Sequence, residues 1–350
     1  LRLQTVSYYS GGKYSLYGYK KYDDIRLVLI PENDLGFYGG DPDNFTYPRY
    51  NLDFTFWRAY DENGEPLNTS EFYYEFNPDG IEEGIPVFVV GNPGSTERYR
   101  TVAQLEYDRD HRYKYLLRWL TNRRDLLQEE YDAMSTDPEK EREAQELLGT
   151  INNLSNSIKA YNGIMKGLNN NHFMKRKQQI QDQIQAESSG LSYWEDLKNE
   201  YKKLIPHSWA VSHLGPTPYR GQVFIMMHQI AQLKENMNRE DVSKKELEEA
   251  KASLASMANE LDLDRERKLL KMLLTEIKQD IYPGDNTLSR LLDGKSINVY
   301  VDHLFKKSKM LKSEKDAMKC VSKDKNLTKS KDDMIKAADI LVKRYQEAAT

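Results

Sequence analysis

Cysteine is almost absent from this 350-residue chain: Cys320 is the only one. A single thiol excludes a disulfide framework and a thiolate metal site, and it is expected to pack as a small hydrophobe on a helix. No basic excess exists either. Lys and Arg number 51 against 55 Asp and Glu, a formal net charge of -4, which argues against a nucleic-acid partner. No run approaches the roughly 20 apolar residues of a membrane-spanning helix. The six histidines all lie beyond residue 105, and no two stand four apart around a glutamate, so the helical zinc motif is missing. There is no initiator Met and no basic-then-apolar leader. A mature secreted chain and a piece of a longer one both look like this.

What is present divides into two grammars, and the length alone favours two domains. Residues 1–105 are rich in Gly and aromatics, with apolar residues in short alternating runs. Residues 25–30 and 86–90 read as buried strands. In 52–60, Leu52, Phe54 and Phe56 share one face while Asp53, Thr55 and Trp57 share the other. Asn63-Gly64 then suits a hairpin turn. This is a piece of a barrel or sandwich, because no helix-period segment intervenes.

Residues 106–350 are helical. Leu147, Ile151, Leu154, Ile158, Tyr161, Met165 and Leu168 step by fours and threes, a heptad seam of about three repeats. Leu116, Leu120, Arg123, Leu127 and Tyr131 give the preceding helix a similar stripe. Further helices are expected near 193–204, 222–237, 244–261, 264–281, 296–308 and 331–348. Ser243 and Glu246 fit a capping box, and Pro283-Gly284 stops a helix. Recurrent turn signals make this a bundle of helices. The lysine runs at 306–309 and 319–331 read as solvated faces and loops.

The richest segment chemically is 39–54, Gly-Gly-Asp-Pro-Asp-Asn-Phe-Thr-Tyr-Pro-Arg-Tyr-Asn-Leu-Asp-Phe. Loops of this kind on a rigid scaffold tend to hold functional groups. As a calcium loop it fails, since Phe45 and Thr46 stand where a ligand and Gly are needed and no glutamate closes it. An Asx-rich structural turn is the favoured bland reading. Asp43 and Asp53 as a glycosidase pair would need a separation across a cleft that sequence does not give. The segment 91–99, Gly-Asn-Pro-Gly-Ser-Thr-Glu-Arg-Tyr, is neither a Walker loop nor a nucleophile elbow.

Taken together, 22–28 (Tyr-Asp-Asp-Ile-Arg-Leu-Val), the 39–54 segment, 91–99 and the Asp-Arg-Asp at 108–110 resemble the dipeptidyl-peptidase 7 and dipeptidyl-peptidase 11 family of bacterial serine exopeptidases. The resemblance runs along most of the chain and is strongest over 14–125. It implies an α+β fold, part of a chymotrypsin-like antiparallel β-barrel followed by a large all-helical lid domain. It also implies removal of dipeptides from the amino ends of oligopeptides through an acyl-enzyme, with no metal or cofactor. Asp53 matches the triad aspartate, Asn44 the residue that holds the substrate's free α-amino group, and Phe45 its aromatic neighbour.

Two departures adjoin that site. Phe45 stands where the family usually has Trp, and Tyr50-Asn51-Leu52 where it has His-Thr-Gly. The family's Asn-His-His-type and Gly-Asn-Ser-Gly-Ser-type motifs do not occur here, so the catalytic His and Ser are expected outside this chain, which alone would be inactive. A homodimer and a periplasmic or cell-surface location are typical of the family. The alternative is a catalytically inactive relative that binds peptides or partners. A β-headed surface protein with a helical stalk is a third reading.

Overall fold

The computed structural model describes residues 2–36, 47–88, 99–187 and 192–350. Two compact units make up the chain, Leu1–Glu97 and Arg98–Thr350, giving an α+β protein with its strands first and its helices after.

In the first unit β1 (Arg2–Tyr8) and β2 (Lys13–Tyr19) pair antiparallel, from Arg2 opposite Tyr19 to Tyr8 opposite Lys13. Their turn places Gly11 at φ +99°, where a Cβ would be strained. Tyrosines cross-link the ribbon: the hydroxyls of Tyr8 and Tyr17 are 2.5 Å apart. This hairpin was not among the expected strands, although Gly11-Gly12 between two Tyr-rich runs is a signal for it. A second ribbon pairs β3 (Asp24–Leu29) with β4 (Phe56–Tyr60), with a bulge between Leu27 and Leu29. The short helix α1 (Asn33–Gly36) lies between them in sequence.

The expected strand at 25–30 is thus present, but the one at 52–60 starts only at Phe56. Residues 86–88 are not in a strand, and 89–90 lie outside the described residues. Nor are the strands buried. Leu27, Val28 and Leu29 are each about half exposed, because among the described residues the two-stranded ribbon has no second layer packed on it. After β4 the chain turns at Asn63-Gly64, with Asp61 N–H donating to Glu65 O at 2.9 Å, and returns alongside as a bridge from Tyr60 to Pro66.

The helical unit opens with α2 (Val102–Tyr107), capped by a Thr101–Gln104 capping box. One π turn, Asp108–Arg112, leads into α3 (Tyr113–Met134). α4 (Glu141–Leu168) folds back on α3. Leu120 and Leu127 on one helix meet Ile151, Leu154 and Ile158 on the other, the seam expected from the heptad spacing. α5 (Asn171–Glu187) follows, and its Gln181 side chain accepts from the Val102 amide at 3.0 Å.

α6 (Tyr193–Leu214) runs ten residues past its expected end, straight through Pro206. An interior proline removes a helical hydrogen bond and crowds the preceding turn. Burial of Trp209, Ala210 and Leu214 beyond it outweighs that cost, since large apolar side chains each gain about 1.5–3 kcal/mol on leaving water.

The main core forms where α6 packs with α7 (Gln222–Asn236), α8 (Lys244–Ser256), α9 (Leu263–Asp280) and the later helices. Those are α10 (Thr287–Leu292), α11 (Ile297–Lys307), α12 (Glu314–Val321), α13 (Asp324–Thr328) and α14 (Asp333–Ala349). Trp209, Phe224, Met226, Leu274 and Leu304 sit at its centre, all fully enclosed. Ser243 and Glu246 form the expected capping box on α8, with Ser243 N–H donating to Glu246 Oε2 at 2.7 Å.

Candidate active site

Asp53 stands three residues ahead of β4, on the irregular stretch that leads into it. The Leu52 amide donates to the Leu35 carbonyl at 2.9 Å, which ties this stretch to α1. Arg49 Nη2 donates to Asp53 Oδ2 at 2.8 Å, and both side chains are about one-third exposed. With its amide nitrogen turned toward Asp53, Asn51 donates to Oδ1 at 3.0 Å, and its oxygen accepts from Arg49 at 2.8 Å. Arg49, Asn51 and Asp53 therefore form one charge-assisted cluster. Such contacts hold a carboxylate in place while leaving lone pairs free for an imidazole N–H. The candidate residues Asn44 and Phe45 lie outside the described residues, as do Asp41, Asp43 and Gly91–Gly94.

At the far end of the ribbon, where Asp24 pairs with Tyr60, Arg26 on β3 makes a bidentate contact with Asp24 at 3.0 and 2.7 Å. Its guanidinium also lies 3.8 Å from the centre of the Tyr60 ring. The Arg26 hydrogen bonds hold the Asp24 carboxyl below the usual carboxylate range. This pair braces the ribbon from which Asp53 is presented.

The Asp-Arg-Asp motif falls on the π turn between α2 and α3. Asp108 is buried between Arg100 at 3.2 Å and Arg112 at 3.4 Å. Asp110 takes a bidentate pair from Arg109, which holds its carboxyl low. Asp108 thus clamps the start of the helical unit.

One histidine–carboxylate pair has the look of a catalytic dyad. His213 Nε2 lies 2.9 Å from Asp280 Oδ2, with Glu276 3.8 Å from Nδ1. The imidazole is completely enclosed, however, so no substrate carbonyl reaches it. Arg118 also engages Asp280, and the Asn122 amide donates to Glu276 at 2.6 Å. The cluster joins α3, α6 and α9 as a buried polar staple, and burial pushes the Glu276 carboxyl up. Among the described residues no group of three His, Cys, Asp or Glu side chains is arranged to hold a metal ion. No helix there is long and apolar enough to cross a membrane.

The family model of Peptidase S46 matches residues 1–350, the whole chain. The chain belongs to the Peptidase S46 family. Among curated relatives of this S46 chain, dipeptidyl-peptidase 7 of Phocaeicola vulgatus is 27% identical over 332 residues, covering 87% of this chain and 45% of the relative. The Asp/Glu-specific dipeptidyl-peptidase of Shewanella putrefaciens is 32% identical over 194 residues, 53% of this chain and 26% of the relative. A crystal structure of Porphyromonas endodontalis DPP11 in complex with the dipeptide Arg-Glu superposes with a TM-score of 0.63 at 18% identity. That match covers 99% of this chain and 52% of the other, and it bears on the fold alone. The S46 chain spans about half the length of the relatives it matches most extensively.

Proposed function

We propose that the parent of this S46 chain is a serine-type dipeptidyl peptidase that releases dipeptides from the amino ends of oligopeptides through an acyl-enzyme. The observation that carries this reading is Asp53. Its carboxylate is presented at the head of β4 within the segment that matches the family's acidic motif, and Arg49 holds it in place. In the proposed role Asp53 accepts from the Nδ1–H of a histidine outside this chain. It fixes that ring's tautomer and stabilises the imidazolium formed as a serine, also outside the chain, attacks the peptide carbonyl. Asn44 accepts from the substrate's α-ammonium through its amide oxygen, with Phe45 as the adjoining wall, so that the distance from amine to scissile bond counts off two residues. The helical unit serves as the lid. A periplasmic or cell-surface location and a homodimer go with this reading, and no cofactor takes part.

Products identify the activity. The full-length protein should release dipeptides in sequence from free oligopeptides and leave amino-blocked ones uncut. Asn44→Ala should raise KM for free peptides by roughly tenfold or more, since a hydrogen bond to a charged group is worth about 1.5–3 kcal/mol. Internal cleavage, or release of single residues, would sink the reading.

A second reading is a catalytically inactive relative that binds peptides or partners. The Arg49–Asn51–Asp53 cluster favours it, because both Asp53 oxygens already have donors where the family usually carries His-Thr-Gly before its aspartate. The flanking sequence of the parent decides between the two: an inactive relative lacks the histidine or serine motif at full length.

A further inference from the structure

We propose that the lysine-lined pocket formed by α11, α12, α13 and the start of α14 binds a small ligand carrying clustered phosphates. Residues 306–331 hold ten lysines against three carboxylates, in a chain whose net charge is -4. The fold curls this segment around a cavity of about 690 Å³. Seven lysines line it together with two carboxylates, Asp316 and Asp332, and no arginine or aromatic ring is among its described lining residues.

The carboxylates of this region are already engaged. Asp332 accepts from Ser308 Oγ at 2.7 Å, the Lys309 amide at 2.6 Å and the Met334 amide at 3.0 Å. Asp316 pairs with Lys319 at 2.9 Å and caps α12 with Ser313. Asp324 pairs with Lys251 on α8 at 3.5 Å. Of the seven lining lysines, only Lys319 has a carboxylate at ion-pair distance among the described residues. The other six crowd like charges around one concavity, which concentrates anions there.

Lysine alone also selects the ligand's chemistry. The arginine fork fits one planar carboxylate or one phosphate at a time in a fixed geometry, whereas ammonium groups act as rotatable point charges that can meet the many oxygens of clustered phosphates at once. The volume falls within the roughly 300–1,000 Å³ range of small-molecule sites, larger than one phosphate needs. A free polyphosphorylated molecule and a phosphate-bearing lipid headgroup share this chemistry.

Calorimetric titration of the chain with sodium tripolyphosphate at low salt tests the proposal. One saturable site is expected, weakening as sodium chloride is raised. The triple variant Lys323→Gln, Lys325→Gln, Lys329→Gln should lose at least about tenfold in affinity while melting at the parent's temperature. Removing the same charge from α6, with Lys198→Gln, Lys202→Gln and Lys203→Gln, should leave affinity unchanged. Cosedimentation with phosphatidylglycerol vesicles, competed by tripolyphosphate and lost in the pocket variant, would assign the headgroup source. Without vesicle binding, tripolyphosphate binding assigns a free ligand. Binding of neither, an equal loss in the α6 variant, or citrate binding as tightly as tripolyphosphate would overturn the proposal.

Discussion

His228 donates from Nε2 to the Leu214 carbonyl at 2.8 Å, while its ring meets Phe224 and Tyr345 edge-on. Burial pushes its pKa below 6.5, against the hydrogen bond, and the Arg220 charge adds to the shift. The folded chain therefore refuses a proton that the unfolded chain takes up as pH falls through about 6.5. Stability from this group is complete above that pH and is lost below it. Glu266 and Glu276, whose carboxyls burial pushes up, act in the opposite sense and gain stability on acidification. A raw pH profile mixes the two, so a variant isolates the histidine. In His228→Gln, whose amide can still donate to Leu214, the fall in melting temperature from pH 7.5 to 5.5 should be smaller than in the parent. An unchanged slope would remove His228 from the account.

At the level of elements, two glycines give opposite predictions. Gly221 precedes α7 at φ +95°, and a Cβ there would meet Glu266 Oε2 at 2.5 Å. That carboxylate accepts from the Gln222 and Val223 amides at 2.8 and 2.9 Å, capping α7 from α9. Gly149 lies inside α4 with nothing within 4 Å of an added Cβ. Gly221→Ala should destabilise by about 1–2 kcal/mol or more, through backbone strain and a displaced cap. Gly149→Ala should stabilise by about 0.5–1 kcal/mol through helix propensity. Urea unfolding of both variants reads the two signs, and a stabilised Gly221→Ala would refute the cap. Elements were legible in the sequence where one local period decides them, as in the α3–α4 seam and the Ser243 capping box. They were not legible where distant contacts decide. The helix expected near 193–204 runs on to Leu214 because Trp209 and Leu214 enter the core. The 25–30 strand reads as buried because its apolar content cannot reveal that it stays half exposed in a two-stranded ribbon. The lysine runs are solvated, as read, but the concavity that the short helices make of them is invisible in sequence.

For the whole molecule, the described core lies entirely in the helical unit, whereas the motif that carries the proposed chemistry lies in the strand unit. Asp53 is singled out by the motif that its segment resembles, whereas its contacts with Arg49 and Asn51 are visible only in the structure. In the proposed role Asp53 acts only together with a histidine and a serine, so the decisive measurement belongs to the full-length protein. There, kcat on a dipeptidyl chromogenic amide should drop by about four orders of magnitude in Asp53→Asn, because the amide holds the imidazole in the wrong tautomer. Circular dichroism and melting temperature should match the parent. Turnover within a few-fold of wild type in that folded variant would contradict the assignment of Asp53.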